Sequence, residues 1–214
     1  MIKSEKFIKR LKMVSNLDSL TGLQEHFSAI AKEMFGRIAI KAGDKYFKLI
    51  EVEFYYFKQG TFEGPLFNCT YPRTRDAGQL FWHYSGIDIC FDSKEDDLTF
   101  GGILIRSIMN EDGKIIAGPM RCSDELMNCC KQDLPIIVDY ETGFHEEPKT
   151  TFRYGIKADK DKEKNPEGIK LRYYLPQDSW TRKREQVLVA DEKTGSYKKE
   201  NKRDYYTALP KKRK

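Results

Sequence analysis

Residues 47–109 of this chain read as three strands, and two of them carry polar groups that a core would not choose. Phe-Lys-Leu-Ile-Glu-Val-Glu-Phe-Tyr-Tyr-Phe occupies 47–57. Gln-Leu-Phe-Trp-His-Tyr-Ser-Gly-Ile-Asp-Ile-Cys-Phe-Asp occupies 79–92, and Gly-Gly-Ile-Leu-Ile-Arg-Ser-Ile occupies 101–108. Successive side chains of a strand point to opposite faces, so Ile50, Val52, Phe54 and Tyr56 share one face of the first strand. Glu51, Glu53 and Tyr55 share the other. Two carboxylates on a strand otherwise rich in apolar residues are costly to bury without purpose. That face is the candidate site.

The flanking sequence supplies helices and turns. Residues 4–14 place Phe7, Ile8 and Leu11 at helical spacing. Residues 20–35 set Leu23, Phe27, Ile30, Ala31 and Met34 on one stripe, with Gly36 as the expected stop. A hairpin is expected from 37–41 and 46–57 around Ala-Gly-Asp-Lys. Residues 58–78 form a long irregular stretch, and a loop of that length inside a domain is commonly functional or mobile. Strands are expected at 79–91 and 101–109, and a helix at 120–131. A strand or helix approach is expected at 135–140, and the last strands at 153–157 and 169–175. Residues 158–168 read as a charged, solvated turn.

At 214 residues the chain is expected to be one domain with a substantial core. The 38 basic residues are largely offset by 33 acidic ones, and a net charge of +5 permits a polyanion partner without requiring one. No apolar run approaches the roughly 20 residues of a membrane span, and the N-terminus lacks a signal-peptide apolar region. A cytoplasmic location and no membrane partner are therefore expected. The five cysteines include no Cys-x-x-Cys pair and lack neighbouring histidines, so they read as free thiols rather than zinc ligands. Only His26, His83 and His145 are available as a base for a cysteine nucleophile, which argues against that chemistry. The charged tail from 181 ends Pro-Lys-Lys-Arg-Lys, a phosphate-binding or targeting signal, or else a solvated terminus.

The order of several short motifs resembles the alkyladenine (3-methyladenine) DNA glycosylase family. That family has a helix and a Gly, then a turn, then a strand with a Glu-Thr-Glu-Ala-Tyr signature. Here Ala-Lys-Glu-Met-Phe-Gly-Arg-Ile-Ala-Ile (31–40) leads to Leu-Ile-Glu-Val-Glu-Phe-Tyr (49–55). The family's aromatic strand ending Tyr-Gly-x-x-x-Cys-x-Asn is similar to 80–92, with Gly86 and Cys90 in register if one residue is dropped. Leu-Ile-Arg-Ser (104–107), Gly118-Pro119 and Leu-Arg-Tyr-Tyr (171–174) match later motifs, with Trp180 following. The resemblance spans about residues 28–182 and leaves 183–214 as a charged C-terminal segment. It implies a single α+β domain: a curved antiparallel sheet, or partly open barrel, with flanking helices.

The resemblance also implies roles. Glu53 matches the catalytic carboxylate, which deprotonates water and stabilises an oxocarbenium-like sugar. A structural ion pair with Arg106 is the alternative. Tyr55 matches an aromatic that stacks on a flipped base, and Trp82 falls near another; the alternative is that both are core aromatics. Arg106 matches an Arg near the catalytic strand, placed for a phosphate or for the carboxylate. Glu51 matches a first Glu read as structural. The family's pocket His is missing from 59–75, leaving Asn68, Thr70 and Tyr71 as replacements. Its duplex-wedging Tyr is replaced by Ser85, with Tyr84 available if the register slips. Its pocket Asn becomes Asp92. Arg73 and Arg75 are candidate phosphate contacts.

The leading expectation is thus a monofunctional DNA glycosylase acting on an alkylated or otherwise modified purine. No metal or organic cofactor is needed, and the partner is damaged DNA, duplex or single strand, met as a monomer. A non-catalytic nucleic-acid-binding domain on the same scaffold is the alternative. A third reading is an unrelated hydrolase using Glu51 and Glu53, which strand rise separates by about 6–7 Å.

Overall fold

A computed structural model describes residues 4–93, 98–130, 133–153, 155–156, 165 and 168–176. It opens with α1 (Glu5–Lys12), a 3-10 turn (Met13–Asn16) and α2 (Leu20–Arg37). Strands β1 (Ile38–Ala42), β2 (Lys45–Lys58), β3 (Leu80–His83), β4 (Gly86–Cys90), β5 (Thr99–Met109) and β6 (Ile115–Ala117) follow. The described chain ends through α3 (Pro119–Asn128), β7 (Ile136–Asp139), β8 (Lys149–Thr151) and β9 (Arg172–Tyr174). All nine strands join one antiparallel sheet whose backbone order is β3-β4-β5-β2-β1-β7, with β6 beside β5 and the β8–β9 pair beside β2. The sheet curls into a half-barrel, so the fold is α+β with few helices.

Helix α2 forms where the apolar stripe predicts. Ser19 caps it by accepting the Gly22 N–H at 3.2 Å, and Leu23, Phe27, Ile30, Ala31 and Met34 are all buried. Gly36 does not stop it; the helix runs one residue further, and Ile38 passes directly into β1. The Phe27 ring stacks on Phe54 of β2 at 4.4 Å and on Phe91 at 5.6 Å. Tyr56 and Tyr173 complete this aromatic centre, edge-on to Phe27 and Phe54 respectively.

The expected single strand at 79–91 is a hairpin instead. Tyr84 and Ser85 turn the chain, and Gly86 takes φ of 141°, a conformation that favours glycine. The turn changes which residues are neighbours. In one strand His83 and Asp88 would face opposite ways; in the hairpin Phe81 pairs with Asp88 and His83 with Gly86, so they share a face. Strand β6 was not read from sequence. Of the strand expected at 153–157, the described residues 153, 155 and 156 are not in a strand; β8 lies earlier, at Lys149–Thr151, and the Arg153 side chain donates to backbone oxygens of Phe54 and Leu66. Most of the charged turn, Trp180 and the basic tail lie outside the described residues. No helix among the described residues is long and apolar enough to cross a membrane.

Candidate functional site

The register of the sheet draws one row across six strands: Phe81, Asp88, Leu104, Glu53, Arg172 and Thr151. Paired residues share a face, so this row lies on the side of β2 away from α2. The β2–β5 register shifts next to Glu51 and passes over Arg106, and both Arg106 and Ser107 reach the carboxylates of β2.

The result is a closed polar network. Arg172 donates to Glu51 Oε1 from Nε at 2.9 Å and from Nη2 at 2.5 Å. Ser107 donates its hydroxyl to Glu51 Oε2 at 2.5 Å. Arg106 Nη1 donates to Glu53 Oε2 at 3.1 Å, and the Tyr55 hydroxyl donates to the same oxygen at 3.0 Å. Arg172 Nε lies 3.8 Å from Glu53 Oε1, and Arg106 Nε 3.7 Å from Glu51 Oε1. Two carboxylates thus meet two guanidiniums with 0% exposure of either Glu, and the unpaired-charge penalty is avoided. Burial, and next the Glu53 carboxylate, push the Tyr55 phenol well above its ordinary pKa, against the pull of Arg153 and Arg106. Tyr55 therefore stays protonated and keeps donating to Glu53.

Arg153 is fully buried and staples the long loop to β2. It donates to Phe54 O at 3.1 Å and Leu66 O at 2.7 Å, and its guanidinium sits 4.6 Å over the Tyr55 ring. A cavity of about 230 Å³ opens beside this network. Tyr55, Leu104 and Arg106 form its sheet wall, and Tyr71, His83, Tyr84, Ser85 and Asp88 form much of the rest. The Tyr71 hydroxyl is 3.2 Å from Ser85 Oγ, and Tyr71 stands edge-on to Tyr84 at 5.7 Å. Tyr84 itself is 81% exposed at the mouth, where hydrogen bonds to Tyr71 and Ser85 lower its pKa. At this volume the cavity is smaller than the roughly 300–1,000 Å³ of drug-sized sites and suits one planar ring system.

The structure brings together Glu53, Tyr55, Tyr71, Tyr84 and Arg106 from the sequence-read set. It separates the others. Trp82 points to the opposite face, where it packs against the core and lines a distinct apolar cleft with Ile8, Ile136 and Ile137. The hairpin parity that places His83 at the cavity excludes Trp82 from it. Asp92 accepts the Ala77 N–H at 3.4 Å, outside the cavity. Arg73 is not a surface cation: its guanidinium is buried against Asp88 at 2.5 Å and lies 4.6 Å over the Phe81 ring. Arg75 remains exposed. Glu51 does not line the cavity and is held by Arg172 and Ser107.

Four cavity or network residues had no assigned role in the sequence: His83, Asp88, Arg153 and Arg172. The hairpin turn at Tyr84-Ser85-Gly86 was the signal for the first two. Nothing in the sequence singled out Arg153 or Arg172, whose burial and register appear only in the fold. Among the described residues no group of three His, Cys, Asp or Glu side chains can hold a metal ion.

No protein-family model matches this chain, and neither a curated protein nor a solved structure gives a significant match.

Proposed function

We propose that this chain is a monofunctional DNA glycosylase of the alkyladenine type, or a divergent relative with another modified purine as substrate. A damaged base leaves the stack and enters the cavity between Tyr55 and Tyr71, with Tyr84 at the mouth to fill the vacated step. Glu53 takes a proton from water, the water oxygen bonds to the sugar C1′, and the C1′–N bond breaks with its electron pair going to the base. The negative charge of Glu53 also opposes the positive charge that develops on the sugar. Arg106 holds Glu53 in place and carries the cavity wall up to it.

The observation that supports this most is the junction itself. An aromatic cavity of single-ring-system size shares Tyr55 and Arg106 with a carboxylate held by both of them. The order of motifs that resembles the glycosylase family points the same way. One observation favours the second reading, a nucleic-acid-binding domain without hydrolysis: Glu53 is completely buried, and water must be admitted before it can act.

Base release from methylated duplex and single-stranded DNA, wild type against Glu53→Gln, is the test. Release of 3-methyladenine or 7-methylguanine that vanishes in a folded variant supports the hydrolase. DNA binding without release of any base from either substrate selects the binding domain.

A further inference from the structure

Asp88 is the one carboxylate among the described residues that lines the cavity, and it is 2% exposed. Its two oxygens are held separately. Arg73 Nη1 donates to Oδ2 at 2.5 Å, and His83 Nε2 lies 3.1 Å from Oδ1. The Ser85 N–H points at His83 Nδ1 at 3.2 Å. A backbone N–H can only donate, so Nδ1 carries no proton and the ring proton sits on Nε2, facing Asp88. Both ring nitrogens of His83 are committed, and the ring serves to orient Asp88. Each carboxylate oxygen has two lone pairs, and these two bonds use one apiece. Asp88 thus offers acceptors to the cavity and no donor.

The surroundings are shaped to keep it so. A Cβ on Gly102 would lie 2.7 Å from Arg73 Nη1 and 3.1 Å from Asp88 Cβ, so only glycine leaves room for the pair. Asp88 and Glu53 occupy the same cross-strand row, with Leu104 between them. Two strand spacings set their backbones about 9–10 Å apart. A base lying over Leu104 with its glycosidic bond toward Glu53 turns its far edge, the pairing edge, toward Asp88.

We propose that Asp88 reads this edge and restricts the substrate to bases that keep an N–H donor there. Adenine- or guanine-type bases that carry their damage elsewhere on the ring satisfy the carboxylate. A base whose pairing edge is capped into a ring without N–H, such as 1,N6-ethenoadenine, sets acceptor against acceptor and is rejected. The proposal rests on the reading of the cavity as a base pocket.

The test measures binding of free adenine and free 1,N6-ethenoadenine to the full chain by tyrosine fluorescence. In parallel, base release is followed from oligonucleotides carrying 7-methylguanine or 1,N6-ethenoadenine. One good side-chain-to-base pairing discriminates by about tenfold or more, and that preference for adenine is expected in wild type. Asp88→Asn, which adds a donor, is expected to abolish or reverse it. Because that variant strips Arg73 of its counter-charge, Asp88→Asn with Arg73→Met is the second variant, and the wild-type ratio needs no variant. Equal binding of the two bases by wild type overturns the role of Asp88 alone. A preference for adenine without release from any DNA keeps that role and removes the hydrolase. Failure to bind either base overturns both.

Discussion

On one face of β2, Val52, Phe54 and Tyr56 meet Phe27, Phe91 and Tyr173; on the other, Glu51, Glu53 and Tyr55 meet Arg172, Arg106 and Arg153. Both faces are buried. The apolar face is held by area, where each ring contributes on its own account and neighbours can shift to accommodate a loss. The polar face is held by matching, where every charge depends on a named partner and a loss strands that partner in the interior. The cavity opens on the second face, where groups are already fixed in position by their bonds.

Removing one partner of a contact, and then both partners, has the largest expected effect on each face. Phe54→Ala is expected to cost about 3–5 kcal/mol, and Glu51→Ala a similar amount because it takes from Arg172 the carboxylate it donates to twice. The faces then diverge: Glu51→Leu with Arg172→Met recovers much of the loss, whereas Phe54→Ala with Phe27→Ala deepens it. Urea denaturation of the four variants checks this. Non-recovery in the charge pair would contradict the pairwise account.

Two adjacent glycines of β5 extend the comparison at a smaller scale. A Cβ on Gly101 would sit 2.4 Å from the backbone Tyr55 O, and one on Gly102 would sit 2.7 Å from the side-chain Arg73 Nη1. Gly101→Ala is expected to destabilise by about 1–3 kcal/mol, since neither backbone can retreat. Gly102→Ala is expected to cost less stability but to weaken binding in the cavity, because it displaces Arg73 and with it Asp88. Thermal melts and base binding, measured side by side, separate the two effects.

Titration probes the polar face more gently. The Tyr55 phenol has a raised pKa when folded, so the folded state holds its proton more tightly than the unfolded state does. The stabilisation is complete below the ordinary tyrosine pKa of about 10 and is lost as pH rises from there toward the folded value. Wild-type stability should therefore fall above pH 10, and Tyr55→Phe should flatten that fall by about 1.4 kcal/mol per pH unit. Burial likewise pushes the Cys90 thiol up to about 11, so iodoacetamide at pH 8 should leave it unmodified in the native protein. The smallest stability effect belongs to Tyr84→Ala, expected to leave the thermal melt essentially unchanged, with a measurable loss of base release from duplex but not from single-stranded DNA. A matched loss on both substrates would remove the wedge role.

Period-two alternation made both faces of β2 legible, and 3.6-residue periodicity made α2 legible, because each pattern is written in consecutive residues. Glu53, Tyr55 and Arg106 were singled out on that basis and through the order of motifs, and the fold places them next to one another. The partners of the polar face were not. Arg172 and Arg153 lie about a hundred residues further along, and nothing local marks an arginine as destined for burial. The motif order misled at 79–91: Trp82 was read into the site from its place in an aromatic strand, whereas a two-residue turn hidden in that run brings His83 onto the face of Asp88 and leaves Trp82 on the other. Arg73 was read as a phosphate contact because it lies in the long loop, where nothing local pairs it with Asp88 fifteen residues further on.

The pairing of β9 with β2 sets an order on synthesis. Glu51 and Glu53 leave the ribosome more than a hundred residues before Arg172, which neutralises Glu51 and flanks Glu53. Arg106 and Ser107 arrive earlier for Glu53 and Glu51, but until β9 follows Glu51 lacks the guanidinium that donates to it twice, and the strand cannot be buried in its final form. The early strands are thereby kept from closing on themselves or on a neighbour, and a chain cut short before residue 172 is marked as incomplete by its own unpaired charge.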